Sequence, residues 1–204
     1  MVQNETMSQS EPESLAVRKR RATNARIAAS AARLAGLHGV ASTTVEQIAA
    51  DAEVARATFF RYYDTKESAV AEGITGPWLT LVTEAIARQP GSLPAKDALL
   101  AAFRELEAEF PAYADQIREL ARLTRSSPTL NAWTAQAYQR YERAIAELLT
   151  PRFRNLAGHD PRPRLLAALA MAAVRISLDD WVEGGGALPD LIHRALGAIA
   201  VGPR

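Results

Sequence analysis

The sequence predicts an all-α fold of about nine helices: an N-terminal three-helix unit containing a helix-turn-helix, then a larger helical domain. Three observations carry this. Apolar residues recur at three- and four-residue intervals through most of the 204 residues. No segment sustains the two-residue alternation of a strand. Proline- and glycine-bearing breaks divide the chain into pieces of helix length.

Each element has its own signal. In a first helix over about 17–38, Ile27, Ala31, Leu34 and Leu37 share a face and Gly39 terminates it. A second helix over about 45–52 can be capped by Thr44, with Gln47 closing a capping box. Only Glu53-Val54-Ala55 separates it from a third over about 56–62, which is helix-turn-helix spacing. Asp64 can cap the next helix, with Glu67 three residues on. Gly76-Pro77 interrupts that helix between about Lys66 and Arg88. QPGSLP (89–94) is a loop, and further helices are expected at about 95–109, 112–124, 128–149, 162–183 and 188–200. Pro111, Pro128, the GHDPRP stretch and glycines 184–186 separate them.

Charge is distributed unevenly. Residues 1–14 hold three acids and no base, residues 15–70 nine Lys/Arg against five Asp/Glu, and residues 71–204 fifteen of each. The positive excess thus lies in the segment with the helix-turn-helix, which points to a local anionic partner. Residues 1–14 read as a disordered tail, 15–70 as the helix-turn-helix domain and 71–204 as the second domain. There is no cysteine, which excludes disulfides and thiolate chemistry. No secretory signal is evident and every apolar run falls short of a membrane span, so a soluble, cytoplasmic protein is expected. The histidines (His38, His159, His193) lack metal-ligand spacing. The chain also lacks a nucleophile elbow and a phosphate-cradling glycine loop, and Asp179-Asp180 side chains diverge on a helix. No enzyme activity, metal or cofactor is expected.

In RATFFRYYDTK (56–66) four rings crowd among three cations. Ile48, Ala49, Ala52, Val54 and Phe59 can face inward and lock the second and third helices together, with Tyr63 on the same face as Phe59. Arg56, Thr58, Phe60, Arg61 and Tyr62 are then left near the outer face, where DNA offers phosphates, base edges and thymine methyls. RKRR (18–21), with Arg20 and Arg21, reads either as a solvated charged turn or as a basic arm on the DNA backbone; the neighbouring reader favours the arm.

TTVEQIAADAEVARATFFRYYDTKESAV (43–70) resembles the DNA-binding domain of the TetR family of transcriptional regulators, through Thr44, Ile48-Ala49, Ala52, Val54, Phe59-Phe60, Tyr62-Tyr63 and Lys66. RIAASAARLAGLHGV (26–40) resembles that family's first helix. The resemblance implies phosphate contacts from Thr44, Tyr62 and Lys66, and base approach by Arg56, Ala57, Thr58 and Arg61. This chain departs from the family at three positions. Glu53 stands in place of the usual turn glycine, which implies strain or an altered turn. Ala55 replaces a capping Ser or Thr, and Phe60 replaces a phosphate-bonding tyrosine.

The resemblance further implies a homodimer through the last two helices, with Leu191, Ala195 and Ile199 in line on the final one, reading a palindromic double-stranded DNA operator. It implies a ligand-responsive repressor, with a small-molecule effector in the helical domain. Trp78, Phe103, Phe110, Trp133, Tyr138, Met171 and Trp181 can line an apolar effector cavity. Arg125 or Arg175 can orient an anionic group there, or Arg175 can simply pair with Asp179 at i,i+4. LTRSSPTLNAWTAQAYQRYERAI (123–145) with LDDWVEGG is similar to the effector domains of the mycofactocin-regulator-like branch, associated with acyl-CoA-type ligands. The alternatives are an activator or DNA binder with no effector, and a helical binding protein with a decayed reader.

Overall fold

The computed structural model describes residues 14–156 and 158–200. Among these it is all-helical: α1 Leu15–His38, α2 Val45–Asp51, α3 Arg56–Phe60, α4 Lys66–Arg88, α5 Ala95–Glu105, α6 Ala114–Ser126, α7 Pro128–Leu149, α8 Arg162–Gly184 and α9 Leu188–Gly197. The expected tail lies outside the described residues except for Ser14, which caps α1 by accepting from the Val17 amide at 3.4 Å.

Several boundaries differ from the sequence expectation, each for a local reason. RKRR lies within the first turns of α1 and is exposed, inside the span expected for the first helix. α3 stops at Phe60, and α5 passes at Leu106 into two 3-10 turns around Pro111. The cap of α4 is Thr65, not Asp64: Thr65 is extended, and its hydroxyl accepts from the Ser68 amide at 3.1 Å.

Two hydrophobic cores share α4. The first gathers Ile27 and Ala31 from α1, Ile48 from α2, Phe59, Tyr63 and Val70, and it recruits Leu120 of α6 and Leu130 of α7. The second gathers Val82 and Ile86 of α4, Leu99 of α5, Ile145 and Leu149 of α7, Leu166 and Met171 of α8, and Leu196 of α9. Phe59 is wholly buried, and burial of a ring that size stabilises by about 2–3 kcal/mol.

α4 therefore runs unbroken through the expected domain boundary at 70/71, with Pro77 inside it. It lies so close to α1 that a Cβ on Gly73 would stand 2.1 Å from the Ala28 carbonyl oxygen, and only glycine fits there. Tyr141 ties the same stretch to α7, its hydroxyl donating to the Thr75 carbonyl at 2.5 Å. At its C-terminal end Arg152 donates to the carbonyls of Ile86, Gln89 and Pro90, satisfying groups that the helix leaves open.

Candidate functional site

The helix-turn-helix is held from inside. Phe59 and Tyr63 stack with centroids 5.9 Å apart, and Ile48, Ala49 and Ala52 are buried beside them. Thr44 and Gln47 form the capping box: the Gln47 amide donates to the Thr44 hydroxyl at 3.2 Å, and the Thr44 amide to the Gln47 side chain at 2.8 Å. The turn departs as its sequence implied. Glu53 adopts a positive φ of 51°, and Ala55 offers α3 no side-chain cap.

The outer face presents Arg56, Ala57, Phe60 and Arg61 to solvent, with Thr58 and Tyr62 half-buried at its edge. Its arginines are not idle. Arg56 donates from Nε to Glu46 at 2.7 Å and lies over the Phe60 ring, 4.9 Å from its centroid. A backbone hydrogen bond, and after it the Arg56 guanidinium, holds the Glu46 carboxyl below its ordinary range. Arg61 reaches Thr58 at 3.4 Å. Behind this face Arg33 of α1 pairs with Asp51 of α2; that hydrogen bond, then one from Ser30, lowers the Asp51 carboxyl.

Lys66 has partners within the domain that the sequence did not indicate. Its ammonium donates to the carbonyls of Val40, Ala41 and Thr43 at 2.8, 3.2 and 2.7 Å. These three bonds use its three N–H donors, so Lys66 ties α4 to the α1–α2 connection instead of standing free for a phosphate. Thr44 keeps its own hydroxyl proton, because the cap uses only its oxygen as an acceptor.

The larger domain encloses a cavity of about 780 Å³, within the range of small-molecule sites. Trp78, Phe103, Phe110, Tyr138, Met171, Arg125 and Arg175 all line it, as expected. Trp133 and Trp181 do not. Trp133 packs beside the N-terminal core with the Arg140 guanidinium over its ring. Trp181 is buried, donates its indole N–H to the Gly186 carbonyl at 3.1 Å and lies under Arg118. The walls also include Ile74, Leu120, Thr134 and His193. No sequence signal marked Ile74 or Leu120, since both read as ordinary core positions, and His193 was weighed only as a metal ligand.

Charge sits at the solvent-exposed rim of this cavity. Arg125 makes a double contact with Asp179, from Nε at 3.2 Å and Nη2 at 2.9 Å, and approaches Glu183 at 3.5 Å. Arg175 also meets Asp179, at 3.7 Å, so the expected i,i+4 pair exists but is secondary to Arg125. Deeper in, burial pushes the Tyr138 hydroxyl up to about 12, which keeps it a neutral O–H.

α8 carries a third feature. Leu165, Leu169 and Ile176 are 55%, 46% and 49% exposed and fall on one face of the helix. The expected stripe of the last helix behaves differently: α9 ends at Gly197, and Ala195 on it and Ile199 just past it pack against the C-terminal core.

Two family models match. The one described as "Bacterial regulatory proteins, tetR family" covers residues 27–72, and the one described as "MftR C-terminal domain" covers residues 93–203. No curated protein matches the chain. Among solved structures, the chain is similar to Thermus thermophilus FadR, a TetR-family transcriptional repressor in complex with lauroyl-CoA. The TM-score is 0.60 at 22% identity, over 88% of this chain and 97% of that one. It is similar to a TetR transcriptional regulator from Rhodococcus sp. RHA1, with a TM-score of 0.62 at 16% identity over 88% and 96%. It is also similar to the fatty acid degradation regulator FadR from Bacillus halodurans, with a TM-score of 0.50 at 20% identity over 87% and 96%. The N-terminal reader and the helical domain behind it are each matched in turn, and the chain belongs to the TetR family of transcriptional regulators.

Proposed function

We propose that this regulator is a homodimeric repressor, acting in the cytoplasm, whose paired helix-turn-helix units hold a palindromic operator until an apolar, acyl-type effector fills the cavity. One observation carries the reading. Ile74 of α4 and Leu120 of α6 belong at once to the core that supports the DNA reader and to the wall of the cavity. An occupant that displaces them moves the support of the recognition helix, so DNA and effector weaken each other's binding by the same factor.

The apolar lining supports an effector with a long hydrocarbon part, as does the lauroyl-CoA bound by the Thermus thermophilus relative. Leu165, Leu169 and Ile176 on α8 support pairing of two chains, because an apolar row of that length is seldom left to water. Arg56, Thr58, Arg61 and Tyr62 of the α3 region would then approach bases and backbone, Thr44 would hold a phosphate, and Arg20 and Arg21 on α1 would add backbone contacts. The helices containing 15–70 and 71–204 act in this scheme as reader and effector domain.

Sedimentation equilibrium tests the assembly. The unmodified chain is expected to be a dimer at micromolar concentration, and Leu169→Glu with Ile176→Glu to give monomers that keep their helical signal and lose operator binding. A monomeric unmodified chain contradicts the proposal.

A further inference from the structure

Arg56 opens the recognition helix and is held at one end only. Its Nε donates to Glu46 Oε1 at 2.7 Å, and among the described residues neither Nη1 nor Nη2 makes a hydrogen bond or ion pair. The guanidinium lies over the Phe60 ring, 4.9 Å from its centroid. That ring is in turn set edge-on against the fully buried Phe59, with 5.4 Å between centroids. A long side chain that would otherwise sample many rotamers thus has its Nε and one face taken. The remaining N–H donors, all on the Nη edge, stay open.

The other arginines of the unit are held differently. Arg33 meets Asp51 through Nη2, the end that Arg56 keeps free. Arg61 reaches only the Thr58 hydroxyl among the described residues, at 3.4 Å, and has no carboxylate to steer it.

DNA offers two kinds of acceptor, and the arrangement treats them differently. Guanine presents O6 and N7 side by side, spaced for two N–H groups of one guanidinium, so it can take the Nη edge while Nε stays on Glu46. A phosphate brings negative charge beside the Glu46 carboxylate, and the two repel. A guanidinium that leaves for the phosphate also leaves that carboxylate unpaired.

Resting on the DNA-reader reading above, we propose that Glu46 is a positioning and specificity residue of the operator interface: it holds Arg56 by Nε so that the Nη edge reads a guanine, and its charge bars the same guanidinium from the phosphates. Glu46 acts through Arg56. It lowers affinity for every duplex, being an acid on a DNA-facing surface, and raises the ratio between the right sequence and the wrong ones.

A duplex selected from a random pool by the unmodified full chain serves as the operator, and titrations against it and its single-base-pair variants test this. Arg56→Ala marks the position that Arg56 reads. Glu46→Gln keeps an oxygen for Nε and removes the charge. It is expected to cut discrimination at that same position at least about threefold, and at other positions less than about twofold, while binding every duplex more tightly. On an unrelated duplex its salt dependence is expected to steepen by about one unit, as the released arginine takes up a phosphate. In the Arg56→Ala background, Glu46→Gln is expected to leave both the discrimination and the slope unchanged. If Glu46→Gln keeps the preference at the Arg56 position, or has the same effect with Arg56 replaced, Glu46 is a general charge and the proposal falls while the DNA-reader reading stands. An Arg56→Ala variant that relaxes no base position overturns the proposal in the same way. If the unmodified chain enriches no duplex, both fall.

Discussion

Arg56 donates from Nε to the Glu46 carboxylate at 2.7 Å, so the first side chain of the recognition helix is held by the helix before it. Both partners are 64% exposed, so the pair is well solvated and screened by salt and contributes little to stability. DNA competes with Glu46 for this guanidinium. Glu46→Gln is therefore expected to tighten operator binding by about two- to fivefold. Arg56→Ala is expected to weaken it by about 1–3 kcal/mol and relax preference at one base position. Equal loss on every sequence would reassign Arg56 to the phosphates.

Lys66 separates stability from DNA contact. With its three donors on the Val40, Ala41 and Thr43 carbonyls, Lys66→Met is expected to destabilise the N-terminal unit by about 1–3 kcal/mol in thermal melts. The salt dependence of DNA binding is expected to stay unchanged. A slope shallower by about one unit would show a phosphate contact after all.

The turn between α2 and α3 carries two correctable costs. Glu53→Gly relieves a left-handed residue at φ 51° and is expected to stabilise by about 0.5–1 kcal/mol, net of the added freedom of the unfolded chain. Ala55→Ser supplies the cap that α3 lacks, worth about 1 kcal/mol. Urea midpoints should rise in both variants with the m-value unchanged.

Pro77 lies on α4 between Gly73, pressed against α1, and Trp78 on the cavity wall. Having no N–H, it leaves the Gly73 carbonyl without its usual helical donor and softens the connection at that point. Pro77→Ala is expected to raise thermal stability and to reduce the coupling between DNA and an acyl-type effector such as lauroyl-CoA, leaving the affinity of the DNA-free protein for it within about twofold. Unchanged coupling would remove the proline from the mechanism.

What the sequence made legible was local. The capping box of Thr44 and Gln47, the inward pair Phe59 and Tyr63, and the strain at Glu53 each depend on residues within one or two turns, where spacing dictates geometry. The carbonyl partners of Lys66 were not legible because they lie 23 to 26 positions upstream, a distance that no helical period encodes. The cavity was half legible for a related reason. Trp78, Trp133 and Trp181 are alike in composition and context, and only the packing of α7 and α8 turns two of them away from the space that the first one lines.

The central claim is that two copies of the α2–α3 reader act together on DNA, and selection of bound duplexes from a random pool tests it most directly. The expected result is enrichment of an inverted repeat with two equal half-sites at fixed spacing, lost when α8 carries Leu169→Glu and Ile176→Glu. Enrichment of single half-sites at variable spacing, or of no sequence at all, would contradict the account.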